Sequence, residues 1–155
     1  MTFEKIYNKY WQKVFRLSMG YLNDQDAAKD ITQETFIKVW QQLPKFRNES
    51  SIGTWIFRIA SNICLRQIEN NNKMPKSSLS FDVEDKLQPS IEGEMKFLYK
   101  SISKLPEIER IIISLELEDM KQAEIASIVG ISEGNVRVKI HRIKEKLTQK
   151  FKNYE

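Results

Sequence analysis

The chain has 155 residues, of which 30% are charged and 41% hydrophobic, and its formal net charge is +4. This length allows one ordinary domain or two small ones, and the balance of residue types excludes a disordered or membrane-embedded chain. Apolar runs such as Ile111–Ile113 are far shorter than the ~20 residues that a transmembrane helix needs. Thr2–Lys5 carries no apolar signal segment, and the single cysteine, Cys64, has no partner for an internal disulfide. We therefore expect a cytoplasmic protein.

Helical spacing of apolar residues dominates the chain and glycine is scarce, so the sequence predicts an all-α fold. Residues 71–90 are rich in Asn, Ser, Pro and Lys, which predicts a flexible linker between two small helical domains at 1–70 and 91–155. Leu79, Phe81 and Val83 alternate within that linker, so a docked or extended segment is an alternative there. The predicted helices cover residues 2–22, 24–43, 54–69, 92–104, 106–117, 121–129 and 133–151. Pro106 is expected at the first helical position of its helix, where the missing N–H does no harm.

The strongest local pattern, a predicted helix-turn-helix, spans Lys121–Val136. Ala126 is small where two helices cross, Gly130 suits a left-handed turn, and Ser132 can cap the next helix. Ile131 is expected under the turn, and the shared core is expected from Ile125, Val129 and Val136. A plain helical hairpin is the alternative, but the combination favours a DNA-binding unit.

The second helix of this unit has a buried and an exposed side at 100° per residue. The buried stripe is predicted to contain Val136, Ile140, Ile143, Leu147 and Phe151. Base contacts in a major groove are expected from Arg137, Val138, His141 and Arg142, although His141 could instead contact a phosphate or only solvent. Phosphate contacts are expected from Lys139, Lys144, Lys146 and Lys150. Residues 134–153 hold seven basic residues and one acid, a charge balance that fits either a polyanion-binding face or a solvated helix end.

The second predicted helix also has two distinct faces. Its core face is expected to contain Ala28, Ile31, Thr35, Val39 and Leu43. Its other face carries Asp30, Gln33, Glu34, Ile37 and Gln41. This polar face with one isoleucine fits either a partner-binding surface or an ordinary solvated surface.

On the third predicted helix, one face carries Trp55, Arg58, Asn62 and Arg66, residue types that stack on and hydrogen-bond to single-stranded bases. A lone Trp is more often a core residue, but Trp55 is expected opposite the core stripe. That stripe is predicted to contain Ile56, Phe57, Ala60, Ile63, Cys64 and Ile68. Within it, Cys64 is expected to be an inert packing thiol rather than a redox sensor.

Three segments resemble the extracytoplasmic function group of sigma factors in the sigma-70 family. Residues 30–40, DITQETFIKVW, resemble the polymerase-binding signature of that family. Residues 46–62, FRNESSIGTWIFRIASN, are similar to the promoter-melting segment. Residues 105–110, LPEIER, together with the helix-turn-helix resemble the C-terminal domain. The three segments follow the family order over nearly the whole chain except the linker.

The resemblance implies an alternative sigma factor that binds core RNA polymerase and reads the −35 and −10 promoter elements, with residues 1–70 as region 2 and 91–155 as region 4. The residues expected to grip polymerase are Asp30, Gln33, Glu34, Ile37 and Trp40. Those expected at the −10 element, including a loop that receives an unstacked base, are Arg47, Asn48, Glu49, Ser50, Ser51, Trp55, Arg58, Asn62 and Arg66. Those expected at the −35 element are Arg137, Val138, Lys139, His141, Arg142 and Lys144. An inhibitory anti-sigma protein is also implied.

Two other classes of protein compete with this interpretation. An autonomous repressor or activator would use the same recognition helix without polymerase, as a dimer on paired half-sites. An enzyme acting on nucleic acid would need a metal-ligand cluster or a phosphate-binding glycine loop, and the sequence offers one histidine, one cysteine and no such loop. We therefore expect no catalytic residue, no metal and no cofactor.

Overall fold

The computed structural model describes residues 2–73 and 93–153, and the side chains within these ranges other than those of residues 68–73. All regular elements in these ranges are helical, which confirms the predicted all-α fold. The helices are α1 Phe3–Leu22, α2 Gln25–Gln42, α3 Ile52–Lys73, α4 Gly93–Ser103, α5 Glu107–Leu117, α6 Gln122–Val129 and α7 Glu133–Lys152, with a 3₁₀ turn at Leu43–Lys45. Most of the predicted linker, with its Leu79, Phe81 and Val83, lies outside the described residues.

Side-chain caps set the starts of three helices. The Thr2 hydroxyl accepts from the Lys5 N–H of α1 at 3.3 Å, and the Asp24 carboxylate accepts from the Ala27 N–H of α2 at 3.1 Å. The Ser132 hydroxyl accepts from the N–H three residues on in α7 at 3.1 Å. Each cap satisfies an N–H that the helix leaves unpaired, so the predicted starts are confirmed to within one residue.

Two other predicted starts were wrong. α3 begins at Ile52 rather than Thr54, because the Ser51 hydroxyl accepts from the Thr54 N–H at 3.1 Å and so acts as a cap. Pro106 is not the first helical residue of α5 but its cap, with φ −56° and ψ 154°. Its extended ψ places it just outside the helix, where its missing N–H is equally harmless.

α1, α2 and α3 form an N-terminal half around a shared core. The stripe predicted on α3 is buried at Ile56, Phe57, Ala60, Ile63 and Cys64, while the side chain of Ile68 lies outside the described ones. Burial raises the pKa of the Cys64 thiol to about 12, which confirms a packing thiol with little thiolate character.

α4, α5, α6 and α7 form a C-terminal half that packs against the N-terminal half. α1 contacts α4 and α5, and α3 contacts α5 and α6; we call this contact surface the intramolecular interface. Its closest approach is at Gly20, where an added Cβ would lie 2.2 Å from Ser114 Oγ. An alanine at this position would therefore force the Ser114 side chain or the two helices to shift. The hydrophobic core runs through the interface, with members from both halves.

Candidate functional site

The outer face of α2 is exposed as predicted, at Asp30, Gln33, Glu34, Ile37, Trp40 and Gln41. Ile37 is 56% exposed and Trp40 is 62% exposed, unusually high values for large apolar side chains. The opposite face is buried at Ala28, Ile31, Thr35 and Val39, whereas Leu43 is only half-buried. The α2 surface therefore has an exposed apolar centre, Ile37 and Trp40, beside polar side chains that include two carboxylates.

Aromatic side chains of α1 support this apolar centre. The rings of Phe3 and Trp40 meet edge to face at 5.2 Å, and those of Tyr7 and Phe36 at 5.1 Å. Tyr7 is itself exposed. The helical pattern of the sequence did not identify Phe3 and Tyr7 as part of this surface, because their spacing on α1 matches that of core residues.

A groove of about 480 Å³ separates α2 from α3. Two predicted −10 residues, Asn62 and Arg66, line it from α3, and Lys38 and Gln42 line it from α2. The last two were missed from sequence. The sequence marks Lys38 and Gln42 only as two polar residues four positions apart, between the polar face and the core face of α2. The groove has cationic and amide groups on both walls above apolar Ile59, which suits a backbone phosphate and a stacked base.

The loop before α3 holds the remaining −10 candidates. Arg47, Asn48, Glu49 and Ser51 are exposed and Ser50 is half-buried. Asn48 adopts a left-handed conformation with φ 59°, which asparagine tolerates better than most residues. Trp55 is not opposite the core as expected, since it is half-buried against it and its ring lies 4.8 Å from that of Phe46.

Arg58 differs from the other candidate residues on α3 because it contacts the C-terminal half. Its Nη2 donates to Ser127 Oγ of α6 at 2.7 Å. One turn earlier, the Thr54 hydroxyl donates to the Glu124 carboxylate, also on α6. Of the predicted −10 residues on α3, Arg66 therefore lines the open groove, whereas Arg58 contacts α6.

The helix-turn-helix is formed by α6 and α7. Gly130 adopts φ 78° and ends α6, and Ser132 caps α7, as predicted. Val136, Ile140, Ile143 and Leu147 are buried, while Phe151, Val129 and Ile131 are half-buried. The residues predicted to contact bases, Arg137, Val138, His141 and Arg142, are all exposed, and Lys139 is half-buried.

Contacts with acidic side chains divide the basic residues of α7 into two groups. Lys144 Nζ lies 2.8 Å from Glu116 Oε2, and Lys146 Nζ lies 3.9 Å from Glu109 Oε1, both acids on α5. His141 Nε2 lies 3.1 Å from Glu145 Oε1. Among the described residues no acid pairs with Arg137 or Arg142, so these two exposed guanidinium groups are among the unneutralised cations of the helix.

The ranges 2–73 and 93–153 contain no group of three or more His, Cys, Asp or Glu side chains that could hold a metal ion. A second hollow, of about 200 Å³, lies between α1, α4 and α5 and is lined mainly by apolar groups, among them Leu98 and Tyr99.

No helix in the described ranges is long and apolar enough to cross a membrane.

Family models match both halves of the chain. Sigma-70 region 2 matches residues 6–74, and Sigma-70 region 4 matches residues 98–147. The RNA polymerase sigma-H factor of Pseudomonas aeruginosa is 28% identical, over 93% of this chain and 83% of that protein. The ECF RNA polymerase sigma-E factor of Haemophilus influenzae is 30% identical, over 97% of this chain and 87% of that protein.

Two solved structures share the fold over 99% of this chain. The sigma factor RpoE of Bartonella quintana, in complex with the anti-sigma factor NepR, superposes with a TM-score of 0.77 at 18% identity and is covered to 98%. CnrH in complex with the cytosolic domain of CnrY superposes with a TM-score of 0.73 at 19% identity and is covered to 89%.

Proposed function

The chain belongs to the extracytoplasmic function group of sigma-70 factors and directs promoter-specific transcription initiation, and we propose how its surfaces divide that work. α2 binds core RNA polymerase, α3 with its preceding loop captures the −10 element, and α7 reads the −35 element. The observation that carries this division is that most of the residues concerned are exposed, on α2, on α3 with its preceding loop, and on α7. In this proposal the chain contributes binding and no covalent step, and it works in the cytoplasm.

Polymerase binding is assigned to the outer face of α2. Ile37 and Trp40 supply the apolar centre, and Asp30, Gln33 and Glu34 supply a polar rim. Such a centre contributes most of the binding energy at an interface, while the rim carboxylates select a basic partner surface.

The −10 element is assigned to the loop at residues 47–51, to Trp55 and Arg58, and to the α2–α3 groove. Unpairing and unstacking a base costs a few kcal/mol, which capture by the loop would offset. In the groove, Lys38 and Arg66 contact the DNA backbone next to the captured base. We therefore add Lys38 and Gln42 to the proposed −10 residues. Contacts to phosphates position the strand, and contacts to bases select its sequence.

The −35 element is assigned to the exposed side of α7. Arg137 and Arg142 carry unneutralised guanidinium groups that can each hydrogen-bond two acceptors of guanine, and Val138 can contact a thymine methyl group. Lys139, His141 and Lys144 complete the contact set. Lys144 must exchange its Glu116 partner for a phosphate, so its net gain on DNA is smaller than that of a free lysine.

An anti-sigma protein is the further partner that we propose. One solved neighbour is a sigma factor, RpoE, in complex with the anti-sigma factor NepR, and the other is CnrH in complex with the cytosolic domain of CnrY. The exposed apolar centre of α2 offers such an inhibitor the surface that polymerase also needs.

Transcription with purified components tests the proposal. The protein is mixed with core RNA polymerase and a genomic promoter library, and we expect run-off transcripts from promoters with a shared pair of elements. A gel shift with and without core enzyme runs in parallel. Initiation at no promoter, or tight specific binding by the free protein, would favour an autonomous regulator instead.

Charge reversal on α2 tests the polymerase surface. Asp30→Arg with Glu34→Arg should raise the dissociation constant for core polymerase ~100-fold or more, because like charges across an interface cost several kcal/mol. Glu94→Arg reverses an exposed charge on α4 and should bind normally. Co-purification of the double variant with core enzyme at the normal yield would remove this face from the polymerase surface.

A further inference from the structure

The hollow between α1, α4 and α5 shares no residue with the three surfaces that the proposed function uses. Its volume is about 200 Å³, and its apolar wall contains Met95 and Leu98 from α4 and Leu117 from α5. Met95 and Leu117 are exposed, and Leu98 is half-buried. An apolar cavity of about 150 Å³ is large enough to hold benzene, so this hollow has room for a single ring with one small substituent.

A second wall of the hollow is polar and carries no net charge. Arg16 of α1 donates through Nε and Nη2 to the two carboxylate oxygens of Glu118, at 2.9 and 2.8 Å, and both residues line the hollow. The Glu118 side chain is only 6% exposed. An ionised carboxylate has about four acceptor positions, so Glu118 can still accept hydrogen bonds from a ligand. Burial and the neighbouring Glu118 carboxylate raise the pKa of Tyr99, which keeps its hydroxyl neutral at this wall.

Ser114 of α5 is a further polar residue in the lining of the hollow. It is only 3% exposed, and its Oγ has no hydrogen-bond partner among the described residues. Because buried polar groups in proteins are nearly always hydrogen-bonded, an exception at the wall of a hollow indicates a partner within the hollow. Ser114 and Glu118 are four residues apart, which is about one helical turn. One ligand hydroxyl between them can donate to Glu118 and accept from Ser114.

We propose that this hollow binds a small neutral molecule with one apolar ring and one hydroxyl group, such as a phenol or an aromatic alcohol. The ring packs against Leu98 and Leu117, and the hydroxyl group hydrogen-bonds to Glu118 and Ser114. A charged ligand is disfavoured, because it would lose its hydration beside an ion pair that is already neutral. The proposal goes beyond the proposed function, since the site touches neither the polymerase-binding nor the DNA-binding residues.

Phenol and toluene are a matched pair of probes, because they differ only by a hydroxyl group in place of a methyl group. Each is titrated into the isotopically labelled full chain, and the backbone amide resonances are followed by NMR. We expect saturable binding of phenol, with shifts concentrated at residues 95–99 and 114–118. Toluene should bind at least about tenfold more weakly, because it leaves the polar groups of Glu118 and Ser114 without a partner.

Variants of the polar wall test which groups recognise the hydroxyl. Ser114→Ala removes an unpartnered buried hydroxyl, so it should fold at least as stably as the parent protein and reduce the preference for phenol several-fold. Arg16→Leu with Glu118→Leu replaces the ion pair by apolar side chains, a change that proteins often tolerate. It should abolish the preference and keep toluene binding. Glu109→Leu with Lys146→Leu removes an ion pair outside the hollow and should leave both affinities unchanged.

Three results would overturn the proposal. The first is binding of neither probe, or shifts confined to other parts of the chain, which would mean that the hollow holds only solvent. The second is equal affinity of the parent protein for phenol and toluene. The third is an unchanged preference for phenol in the folded variant that lacks both Arg16 and Glu118. None of these measurements involves polymerase or promoter DNA, so the proposed function is tested separately by transcription.

Discussion

Arg137 lies one residue after the first buried position of α7, with its guanidinium group exposed and unpaired among the described residues. We expect Arg137→Ala to cost about 1–3 kcal/mol of binding and to relax base preference at one −35 position, because a bidentate contact to guanine is lost. Selection from randomised −35 sequences with holoenzyme measures both effects.

Lys144→Ala is the matched control for Arg137→Ala. Because a lysine contacts phosphates, its loss should weaken all sequences alike and leave the selected −35 sequence unchanged. Removal of Arg137 with no change in the selected sequence would exclude it from the residues that read bases.

Cys64 gives a prediction on pH. Its pKa rises from 9.0 to about 12 because burial penalises the thiolate. The folded protein therefore binds this proton more tightly than the unfolded chain does, so stability is fully present below pH 9 and is lost as the pH rises toward 12. Between about pH 8 and 11 the parent protein should lose about 2–3 kcal/mol more free energy of unfolding than Cys64→Ala.

Urea denaturation across this pH range checks the prediction. The alanine variant should be less stable at neutral pH because it leaves a cavity, so the comparison concerns the slope with pH and not the absolute stability. Parallel slopes for the two proteins would show that the Cys64 thiolate is tolerated in the core.

At the scale of the element, the turn between α6 and α7 depends on one backbone conformation. Gly130 has φ 78°, and an added Cβ would meet nothing within 4 Å. The expected cost of Gly130→Ala, about 1–2 kcal/mol of unfolding free energy, is therefore purely conformational. Gly130→Asn should cost less, since asparagine tolerates the left-handed region.

Gly134→Ala is the control, because Gly134 lies in α7 with equally open surroundings and no positive φ. It should stabilise the protein by up to ~1 kcal/mol through helix propensity. Thermal unfolding distinguishes the two glycines. Equal effects of the two alanine substitutions would mean that the turn does not require a left-handed residue.

The turn between α6 and α7 was predictable from sequence, because the residues that form it are neighbours in the chain. Gly130 and Ser132 stand at the spacing that a helix-turn-helix requires, and both act as expected. The prediction that Trp55 lies opposite the core was wrong, since its burial depends on Phe46, which contacts it from the other side of the loop. Lys38 was missed for a similar reason: the groove that it lines exists only where α2 crosses α3.

At the scale of the molecule, a continuous core joins the two halves, including Leu17 from one and Ile112 from the other. We therefore expect the parent protein to unfold in a single calorimetric transition. Gly20→Ala should separate this into two transitions, because it disturbs the interface and neither half alone. Two transitions already in the parent protein would mean that the halves are energetically independent.

The intramolecular interface was beyond sequence analysis. Gly20 is a glycine inside a helix, which indicates a close approach, but Ser114 lies 94 residues away and nothing local identifies it as the neighbour. The pairing of Arg16 with Glu118 is equally non-local. Charge and spacing showed what each half could bind, whereas the contact between them depends on the three-dimensional packing.

The hydrogen bond from Arg58 to Ser127 has a consequence for how such a protein can diverge. The Arg58 guanidinium group cannot donate to Ser127 and contact a promoter strand through the same N–H at the same time. A substitution at Arg58 that alters the preferred −10 sequence would therefore also remove a hydrogen bond between α3 and α6. The choice of −10 sequence and the packing between the halves would therefore change together, unless a change at Ser127 restores the contact.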